Sequence, residues 1–338
     1  MDAVIKMPKV SVIVPVYNTE LYVERAIISL MEQTLDNVQF VIIDDGSKDN
    51  SLNIIQEVIA RYPAREGDVT LISRENLGVA ATRAQGMGLA TGDYIIHLDS
   101  DDWAEHDWLE VMYNKAISDN ADVVVCDYQE IYRNKVISKR QHVPSIGFEC
   151  VPKLIIGEIS NANWNKLIKR SVFDLNEIKF NCDFRMGEDF LVSLAVFLNS
   201  SKVSYVCRAL YSYNKANECS LTNVFDDKSL SDLINLVDKM IVLLDKHKLL
   251  DVKEITDAII KFKVGVRNAY ILQSARRSDL KIFALHLYPE TNISIEHGNV
   301  PKFLKLTYFL NKKKMPWLFF FVDAALAFNR LLWRLNLK

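Results

Sequence analysis

The first part of the chain alternates between short apolar runs and stretches in which apolar residues recur at helical spacing. The runs are rich in β-branched residues and predict buried strands at 10–16, 38–43, 69–72, 94–98 and 122–126. The helical spacing predicts helices at about 20–33, after the 49–51 cap, at 79–90 and at 105–120. This alternation predicts an α/β fold with a mostly parallel sheet between helices.

The pattern changes twice further along the chain. Short mixed elements follow as far as about 217, and long helical patterns then cover about 226–247, 251–275 and 278–286. We therefore predict one domain over 1–222, with halves at about 8–127 and 128–222, and a helical C-terminal region over 223–338. The soft boundary is placed near Thr222.

The apolar run at 94–98 stops at three acids, Asp99, Asp101 and Asp102. If the extended conformation continues beyond Leu98, Asp99 and Asp101 point to one side and Ser100 points to the other. Converging carboxylates repel each other unless a cation lies between them. Carboxylate oxygens are natural ligands for Mg²⁺ or Mn²⁺. The alternative is a solvated acidic turn that caps the next helix.

Three further polar patches follow predicted strands or lie in loops beside them. They are residues 15–18, residues 44–47, and residues 76–78 together with Arg83. The carboxyl ends of parallel strands face one cleft at one edge of the sheet. The patches would supply that cleft with an aromatic ring, acids, glycine turns and a cation, which suits a nucleoside diphosphate.

Five motifs together resemble glycosyltransferase family 2. They are VSVIVPVYN (10–18), IDDGSKD (43–49), NLGVAATR (76–83), GDYIIHLDSDD (92–102) and GED (187–189), in that family's order and at its usual spacing. The resemblance covers about Pro8–Tyr213. It implies the nucleotide-diphospho-sugar transferase (GT-A) fold and inverting transfer of a sugar, dependent on Mn²⁺ or Mg²⁺. The donor would be a UDP-sugar, and the acceptor a glycan or lipid-linked glycan of the cell surface.

The same resemblance assigns roles to residues at matching positions. On the donor side it places Asp45 at the nucleobase, and Pro15 and Tyr17 around the base and ribose. Asp44 would hold the loop, and Arg83 would lie near the nucleotide. Asp99 would lie near the ribose and the metal ion, and Ser100 would belong to the same nucleotide-binding site. The resemblance makes Asp101 a metal ligand, with Asp99 beside the ion and Asp102 as a helper or alternative ligand. For Arg83, a salt bridge on a helix surface is the alternative.

The GED motif would supply the catalytic base. An acceptor hydroxyl attacks more readily when a carboxylate accepts its proton, and family position favours Asp189, with Glu188 as its neighbour. Alternatively, both acids only complement the N-terminus of the helix that they begin.

The segment WNKL (164–167) resembles bacterial members of the family that build surface polysaccharides. Trp103 and Trp164 are candidates for stacking on an acceptor sugar, and core packing is the alternative.

Composition and charge exclude several classes of protein. A net charge of −2 gives no reason to expect nucleic acid as a partner. Five scattered cysteines (Cys126, Cys150, Cys182, Cys207 and Cys219) argue against a disulfide framework or a thiolate zinc site and favour a reducing compartment. The N-terminus lacks the pattern of a secretory signal. We therefore expect a cytoplasmic protein.

The C-terminal tail, 301–338, differs from the rest of the chain. It has eight Lys or Arg residues and one acid, giving +7 against −9 elsewhere. An apolar run at 316–322 follows three lysines, but polar residues interrupt any span of about 20 apolar residues. This pattern predicts peripheral membrane contact through 312–338, on the inner face of the membrane. A terminal helix packed on the protein is the alternative.

Two other functions remain open at this point. A sugar nucleotidyltransferase has a related sheet, but it would carry a glycine-rich basic phosphate loop, and residues 10–18 contain neither glycine nor a basic residue. A non-catalytic module that binds a nucleotide sugar or a glycan is the other alternative. The complete set of acids argues against it.

Overall fold

The computed structural model describes residues 7–180, 184, 187–217, 227–274 and 277–334. The chain divides into two compact units, Met1–Phe225 and Asp226–Lys338. The boundary that we predict near Thr222 lies outside the described residues. Cys126, Cys150 and Cys207 are free thiols, and Cys182 and Cys219 lie outside the described residues.

The first unit contains one sheet of nine strands within its described residues. The strands are β1 Val10–Val16, β2 Val38–Asp44, β3 Val69–Ser73, β4 Tyr94–His97, β5 Trp103–Ala104, β6 Val123–Ile131, β7 Val136–Lys139, β8 Lys166–Lys169 and β9 Val203–Asn214. Their order is β3-β2-β1-β4-β8-β6-β9-β5, with β7 paired to β6. The predicted strands are all present.

The sheet is parallel on one side and mixed on the other. Strands β3, β2, β1 and β4 are parallel to their neighbours. Strand β8 is antiparallel to both β4 and β6, β9 is parallel to β6, and β5 and β7 pair antiparallel at the edges. The predicted parallel arrangement therefore holds for the nucleotide-side strands. It does not extend beyond β4, because the chain leaves the sheet after β7 and returns as β8, which is antiparallel to both β4 and β6.

Seven α-helices of the first unit lie in its described residues. They are α1 Val23–Met31, α2 Ser51–Arg61, α3 Val79–Leu89, α4 Trp108–Asp119, α5 Gly147–Ile155, α6 Arg170–Asn176 and α7 Glu188–Leu198. Two expected helices are shorter than predicted. Helix α1 begins at Val23 and not at about 20, and Leu21, which precedes it, is 79% exposed. Helix α4 begins at Trp108 and not at the predicted residue 105, because strand β5 comes just before it.

Helix α3 is rich in small residues and packs closely against β1. A Cβ atom added at Gly86 would lie 2.4 Å from Cγ2 of Ile13, so a larger side chain here would push the helix away from the sheet. This close contact fixes α3, which carries Arg83, beside the carboxyl end of β1.

The second unit is helical. Its helices within the described residues are α8 Asp227–Lys246, α9 Lys253–Gln273, α10 Ser278–His286, α11 Asn292–His297, α12 Lys302–Lys312 and α13 Phe319–Arg334. The three helices predicted between 226 and 286 are confirmed. Among the helices that the structure describes, none combines the length and apolarity needed to cross a membrane.

Candidate functional site

The loops after β1, β2 and β4 meet at one edge of the sheet. Asn18 and Ser47 join the first two loops, because the Asn18 amide donates to Ser47 Oγ at 3.0 Å and the Lys48 amide donates to Asn18 Oδ1 at 2.7 Å. Thr19 Oγ1 donates to Ser100 Oγ at 3.1 Å and so connects the loop after β1 to the acids that follow β4. The sequence-predicted cleft is therefore assembled from these three loops.

The two acids at the end of β2 hold neighbouring loops. Asp44 accepts from the Ser47 amide at 3.1 Å and from Ser73 Oγ at 2.7 Å. Asp45 is 3% exposed and accepts from the amides of Leu77 and Gly78 at 3.0 and 2.8 Å. Asp45 also pairs with Arg74 at 3.0 Å. Its contacts therefore fix the 76–78 loop, which the resemblance to the family did not lead us to expect.

The donor-side residues of β1 differ in exposure. Pro15 is buried in the strand, whereas Tyr17, just beyond it, is 47% exposed. Tyr17 therefore presents its ring to solvent at the cleft edge, where a base or ribose can contact it. Pro15 is in a position to shape the carboxyl end of β1, below the cleft edge.

The acidic segment forms a turn and does not remain extended. Strand β4 ends at His97, and the Asp102 amide donates to the Asp99 carbonyl at 3.0 Å. The expected alternation of Asp99 and Asp101 along an extended chain is therefore incorrect. The three carboxyl groups instead leave a tight turn in different directions.

Asp102 points into the protein. Its carboxylate is fully buried and accepts from the Tyr211 hydroxyl at 2.8 Å and from the Asn214 amide at 2.7 Å. Burial, with the nearby charges of Asp101 and Asp99, raises the pKa of Asp102 well above its usual value. Since both oxygens are engaged inside the fold, Asp102 is placed to hold the turn, and the geometry does not favour our assignment of it as a metal ligand.

Asp99 and Asp101 are the two acids of the turn that keep partial access to solvent. Asp101 Oδ2 accepts from Asn217 Nδ2 at 2.7 Å. Burial raises the pKa of Asp101, and the negative charge of Asp99 adds to this rise. Within the described residues no group of three or more His, Cys, Asp or Glu forms a complete metal cage.

This donor set fits a hard divalent cation that is only partly held by protein. Mg²⁺ is usually bound by one or two carboxylates and completes its coordination with water and substrate phosphates. Burial is the main cause of the raised pKa of Asp101, and a cation bound by Asp99 and Asp101 would offset the smaller contribution from the charge of Asp99. The two acids are therefore suitable ligands for Mg²⁺ or Mn²⁺ beside a diphosphate.

Arg83 connects these acids to the start of α7. The guanidinium is 5% exposed and donates to Asp99 Oδ1 at 2.9 Å, to Asp189 Oδ1 at 2.8 Å and to Glu188 Oε1 at 3.1 Å. Burial alone would lower the pKa of Arg83, but the charges of Asp189, Asp99 and Glu188 outweigh burial and raise it. We call these four residues the Arg83 cluster. Arg83 is neither on a helix surface nor exposed to the cleft.

The two acids of α7 differ in their surroundings. Burial and the neighbouring charge of Asp189 raise the pKa of Glu188 to about 7. Burial also raises the pKa of Asp189, although Arg83 opposes that rise. Asp189 is the more accessible, with 24% of its side chain exposed against 8% for Glu188. A partly exposed carboxylate with a raised pKa is suited to accept a proton.

Trp164 belongs to the core and does not face an acceptor. It is 5% exposed, and its ring stacks on Tyr211 with centroids 4.3 Å apart and an interplanar angle of 4°. Since Tyr211 holds Asp102, this pair supports the acidic turn from below. Trp103 is covered by the Arg25 guanidinium, 3.2 Å from its ring centroid. Trp164 therefore offers no free face of the kind that we predicted for sugar stacking, and one face of the Trp103 ring is occupied by Arg25.

Two residues of the site were missed by sequence reasoning. Asn163 Nδ2 donates to Asp189 Oδ1 at 2.6 Å, and the buried Lys166 binds the loop that carries Asn163. The WNKL segment was noticed as a family-like motif, but its spacing gave no indication that it lies beside the GED motif.

The chain is similar to several known proteins. The model of the family described as glycosyl transferase family 2 matches residues 11–176. The chain is 33% identical over 215 residues to the putative glycosyltransferase EpsH of Bacillus subtilis, covering 61% of this chain and 60% of EpsH. It is 30% identical over 247 residues to glycosyltransferase GlyG of Streptococcus pneumoniae, covering 69% of this chain and 79% of GlyG.

The fold is also similar to that of a solved structure. The crystal structure of S. aureus TarS 1–349 in complex with UDP matches with a TM-score of 0.64 at 18% identity, over 94% of this chain and 90% of that one. At this identity the likeness shows a shared fold, and the predicted GT-A fold is confirmed. The chain spans only 60% of the length of EpsH.

Proposed function

Because this chain belongs to glycosyltransferase family 2, we propose that it moves a sugar from a nucleotide-diphosphate sugar to a hydroxyl group of a glycan or lipid-linked glycan. The observation that carries the proposal is the Arg83 cluster. One guanidinium binds both Asp99, on the donor side, and Asp189, the candidate base. A displacement at a sugar carbon requires a base for the attacking hydroxyl and a site for the leaving diphosphate, and Arg83 would keep these two groups close together.

On the donor side, Asp99 and Asp101 would hold Mn²⁺ or Mg²⁺. When bound, the ion would neutralise the charge of the diphosphate leaving group. The exposed ring of Tyr17 and the loop that Asp45 fixes would contact the nucleoside, with Pro15, Asp44 and Ser100 shaping that side. The fold shared with TarS, which was crystallised with UDP, supports a UDP-sugar as donor.

On the acceptor side, Asp189 would accept the proton of the attacking hydroxyl. The oxygen then forms a bond to the anomeric carbon while the bond from that carbon to the diphosphate breaks, and the electron pair leaves with the diphosphate. A single displacement from the opposite face inverts the configuration and needs no covalent enzyme intermediate. Since Asp189 Oδ2 has no hydrogen-bond partner in the described part of the chain, this oxygen is available for the proton.

We expect binding of UDP to depend on a divalent cation and on Asp101. Calorimetric titration of UDP should give clear binding with Mn²⁺ and at least about tenfold weaker binding with EDTA or in Asp101→Asn, because the variant loses a charged ligand of the ion. Titrations with GDP, CMP and TDP test the choice of base.

Asp107→Asn is the matched control, since Asp107 lies nearby in the chain but pairs with Arg208 at the surface. It should bind UDP normally. Equal binding of all four nucleotides in EDTA would rule out the proposed diphosphate site. Metal-dependent binding without turnover of any donor sugar would favour a non-catalytic binding module.

We also propose that the second unit contacts the inner face of the membrane. Its basic–aromatic surface consists of the exposed residues Lys312, Lys313, Lys314, Trp317, Phe320 and Phe321. The opposite face of α13 packs into the unit through Phe319, Val322 and Leu326. One face of α13 is therefore packed, as the alternative expectation has it, and the exposed face is the one that we propose for membrane contact.

Charge supports a lipid partner for this surface. The one acid of the tail, Asp323, pairs with the fully buried Lys281 at 2.7 Å, so its charge is balanced inside the unit. Lys312 pairs with Glu296 at 2.7 Å, and Lys313 and Lys314 follow it next to three large exposed aromatic side chains. Anionic headgroups attract the lysines, while the aromatic rings suit the boundary between headgroups and acyl chains. Residues 335–338 of the predicted contact lie outside the described residues.

Replacing Trp317, Phe320 and Phe321 together with serine should abolish most binding to vesicles. Transfer of each such ring from water is worth about 1.5–3 kcal/mol, so co-sedimentation with phosphatidylglycerol-containing vesicles should fall more than tenfold. A Val242→Ser, Ile293→Ser double variant removes other exposed apolar side chains of the same unit and should bind normally. A wild-type protein that ignores anionic vesicles would contradict the proposal.

A further inference from the structure

The segment between α5 and β8 contributes directly to the surroundings of the candidate base. Its residue Asn163 is 2% exposed and lies in a loop without helix or strand. A carboxylate only accepts hydrogen bonds, so the amide nitrogen of Asn163 must face Asp189, and it donates to Oδ1 at 2.6 Å. A loop side chain is therefore held within contact of a group on α7.

Lys166 holds this loop from inside. Its side chain is fully buried and donates to the carbonyls of Ser160 and Ala162, both at 2.6 Å, and to Asn165 Oδ1 at 2.9 Å. An ammonium group has three donors, and these three acceptors use all of them. Two of the acceptors are backbone atoms on the N-terminal side of Asn163, so Lys166 fixes the chain that carries it.

The loop is also attached to α7 itself. Ser193 lies one helical turn after Asp189, and its hydroxyl donates to the Asn161 carbonyl at 2.9 Å. Residues on either side of Asn163 are therefore fixed to the helix that carries the base and to a buried lysine. The distance between Asn163 and Asp189 is set by these two attachments.

The contact decides which oxygen of Asp189 is available. Oδ1 accepts from both Asn163 and Arg83, whereas Oδ2 has no hydrogen-bond partner among the described residues. Rotation of an aspartate carboxylate about χ2 is broad and roughly two-fold, so one donor alone allows the two oxygens to exchange. Two donors from different parts of the chain, both bound to Oδ1, restrict that rotation.

We propose that Asn163 is a positioning residue that directs Oδ2 of Asp189 toward the acceptor hydroxyl, and that Lys166 fixes the loop from which Asn163 acts. The proposal rests on the function proposed above and deepens it. In the reaction, the proton of the acceptor moves to Oδ2, while Asn163 and Arg83 keep their hydrogen bonds to Oδ1.

Both residues have a cost for folding that an apolar residue would avoid. Asn163 Oδ1 is buried without a hydrogen-bond partner in the described part of the chain, and an unsatisfied buried acceptor is unfavourable. Burial lowers the pKa of Lys166 to about 7, with Asp189 opposing the decrease. Polar groups that stability alone does not favour are best explained by the position that they give to Asp189.

Asn163→Ala should lower kcat by about 10²-fold, because the base loses its fixed orientation. KM for the donor and calorimetric binding of UDP with Mn²⁺ should stay unchanged, and the melting temperature should move by no more than about 3 °C. Asn163→Asp should shift the acid limb of the pH profile of kcat to higher pH, since a second carboxylate raises the pKa of Asp189. A purely structural role would instead lower the melting temperature and would not reduce kcat at an unchanged KM.

Asn199→Ala is the matched control. Asn199 Nδ2 donates to the Ala195 carbonyl at the other end of α7, so its loss should leave kcat normal. Lys166→Met should lower kcat with the same unchanged KM, and Ser193→Ala offers a milder test of the loop if that variant does not fold.

The two proposals fail in different ways. If Asp189→Asn is inactive but Asn163→Ala keeps kcat within about twofold and Asn163→Asp leaves the pH profile in place, the positioning proposal is wrong and the function stands. If Asp189→Asn itself retains activity, the proposed base is wrong. A wild-type protein that transfers no sugar from any donor contradicts the proposed function.

Discussion

Asp189→Asn should lower kcat for sugar transfer by about 10²–10⁴-fold, the usual contribution of a general base. The amide matches the carboxylate in size but does not accept the proton of the acceptor. The binding of UDP with Mn²⁺ should change little, because the contacts that we assign to the donor are made by other residues. The loss should therefore appear in kcat and leave KM for the donor nearly unchanged.

The neighbouring acid provides the control for this substitution. Glu188 also contacts Arg83, but its side chain is only 8% exposed. Glu188→Gln should lower kcat much less than Asp189→Asn. Initial rates in excess Mn²⁺, with the released UDP measured directly, distinguish the two. If Glu188→Gln is the inactive variant, Glu188 is the base and our choice of Asp189 between the two acids of the motif is wrong.

The pH dependence of kcat should follow the same group. Because burial raises the pKa of Asp189, the wild-type rate should fall on acidification at a pH above the ordinary range of an aspartate.

The parallel part of the fold could be predicted because its signals are local. Strands β1, β2 and β4 are continuous apolar runs that end at polar loops, and such runs are readable in a single sequence. The order of strands beyond β4 depends on which segment fills the free edge of that strand. Lys166–Lys169 does so after a long excursion, and no periodicity in the chain specifies that pairing.

The candidate site shows the same division. The acids after β4 and at the start of α7 were identified as motifs, and the structure brings Asp99 and Asp189 to one arginine. The direction of each carboxylate was beyond the sequence, because it depends on partners far along the chain. Asp102 is held by Tyr211, which is 109 positions away, and Asp189 is held by Asn163, which is 26 positions away.

Arg83→Met should destabilise the first unit strongly at pH 8. The substitution leaves Asp99, Glu188 and Asp189 close together without their shared cation. Removing one partner of a buried ion pair typically costs about 3–5 kcal/mol in the free energy of unfolding. Urea unfolding, followed by circular dichroism, measures this loss directly.

The loss should become smaller as the pH falls. In the folded wild type the pKa of Glu188 is raised to about 7 and that of Asp189 is also raised, so the folded state binds more protons than the unfolded state between about pH 4.5 and 7. Stability then falls with rising pH across this window. Without Arg83 the pKa values of both acids rise further, which extends the window upward and makes Arg83→Met most unstable at alkaline pH.

A surface arginine separates this effect from a general loss of charge. Arg61 pairs with Glu24 and is half exposed, so Arg61→Met should change stability little and equally at pH 5.5 and pH 8. Arg83→Lys should remain well below wild type, because one ammonium cannot reproduce the planar guanidinium that reaches three carboxylates. Arg83→Met could instead lose the same stability at both pH values. Arg83 would then stabilise the unit mainly through the apolar packing of its stem, and our inference of an electrostatic coupling between the donor side and the base would be wrong.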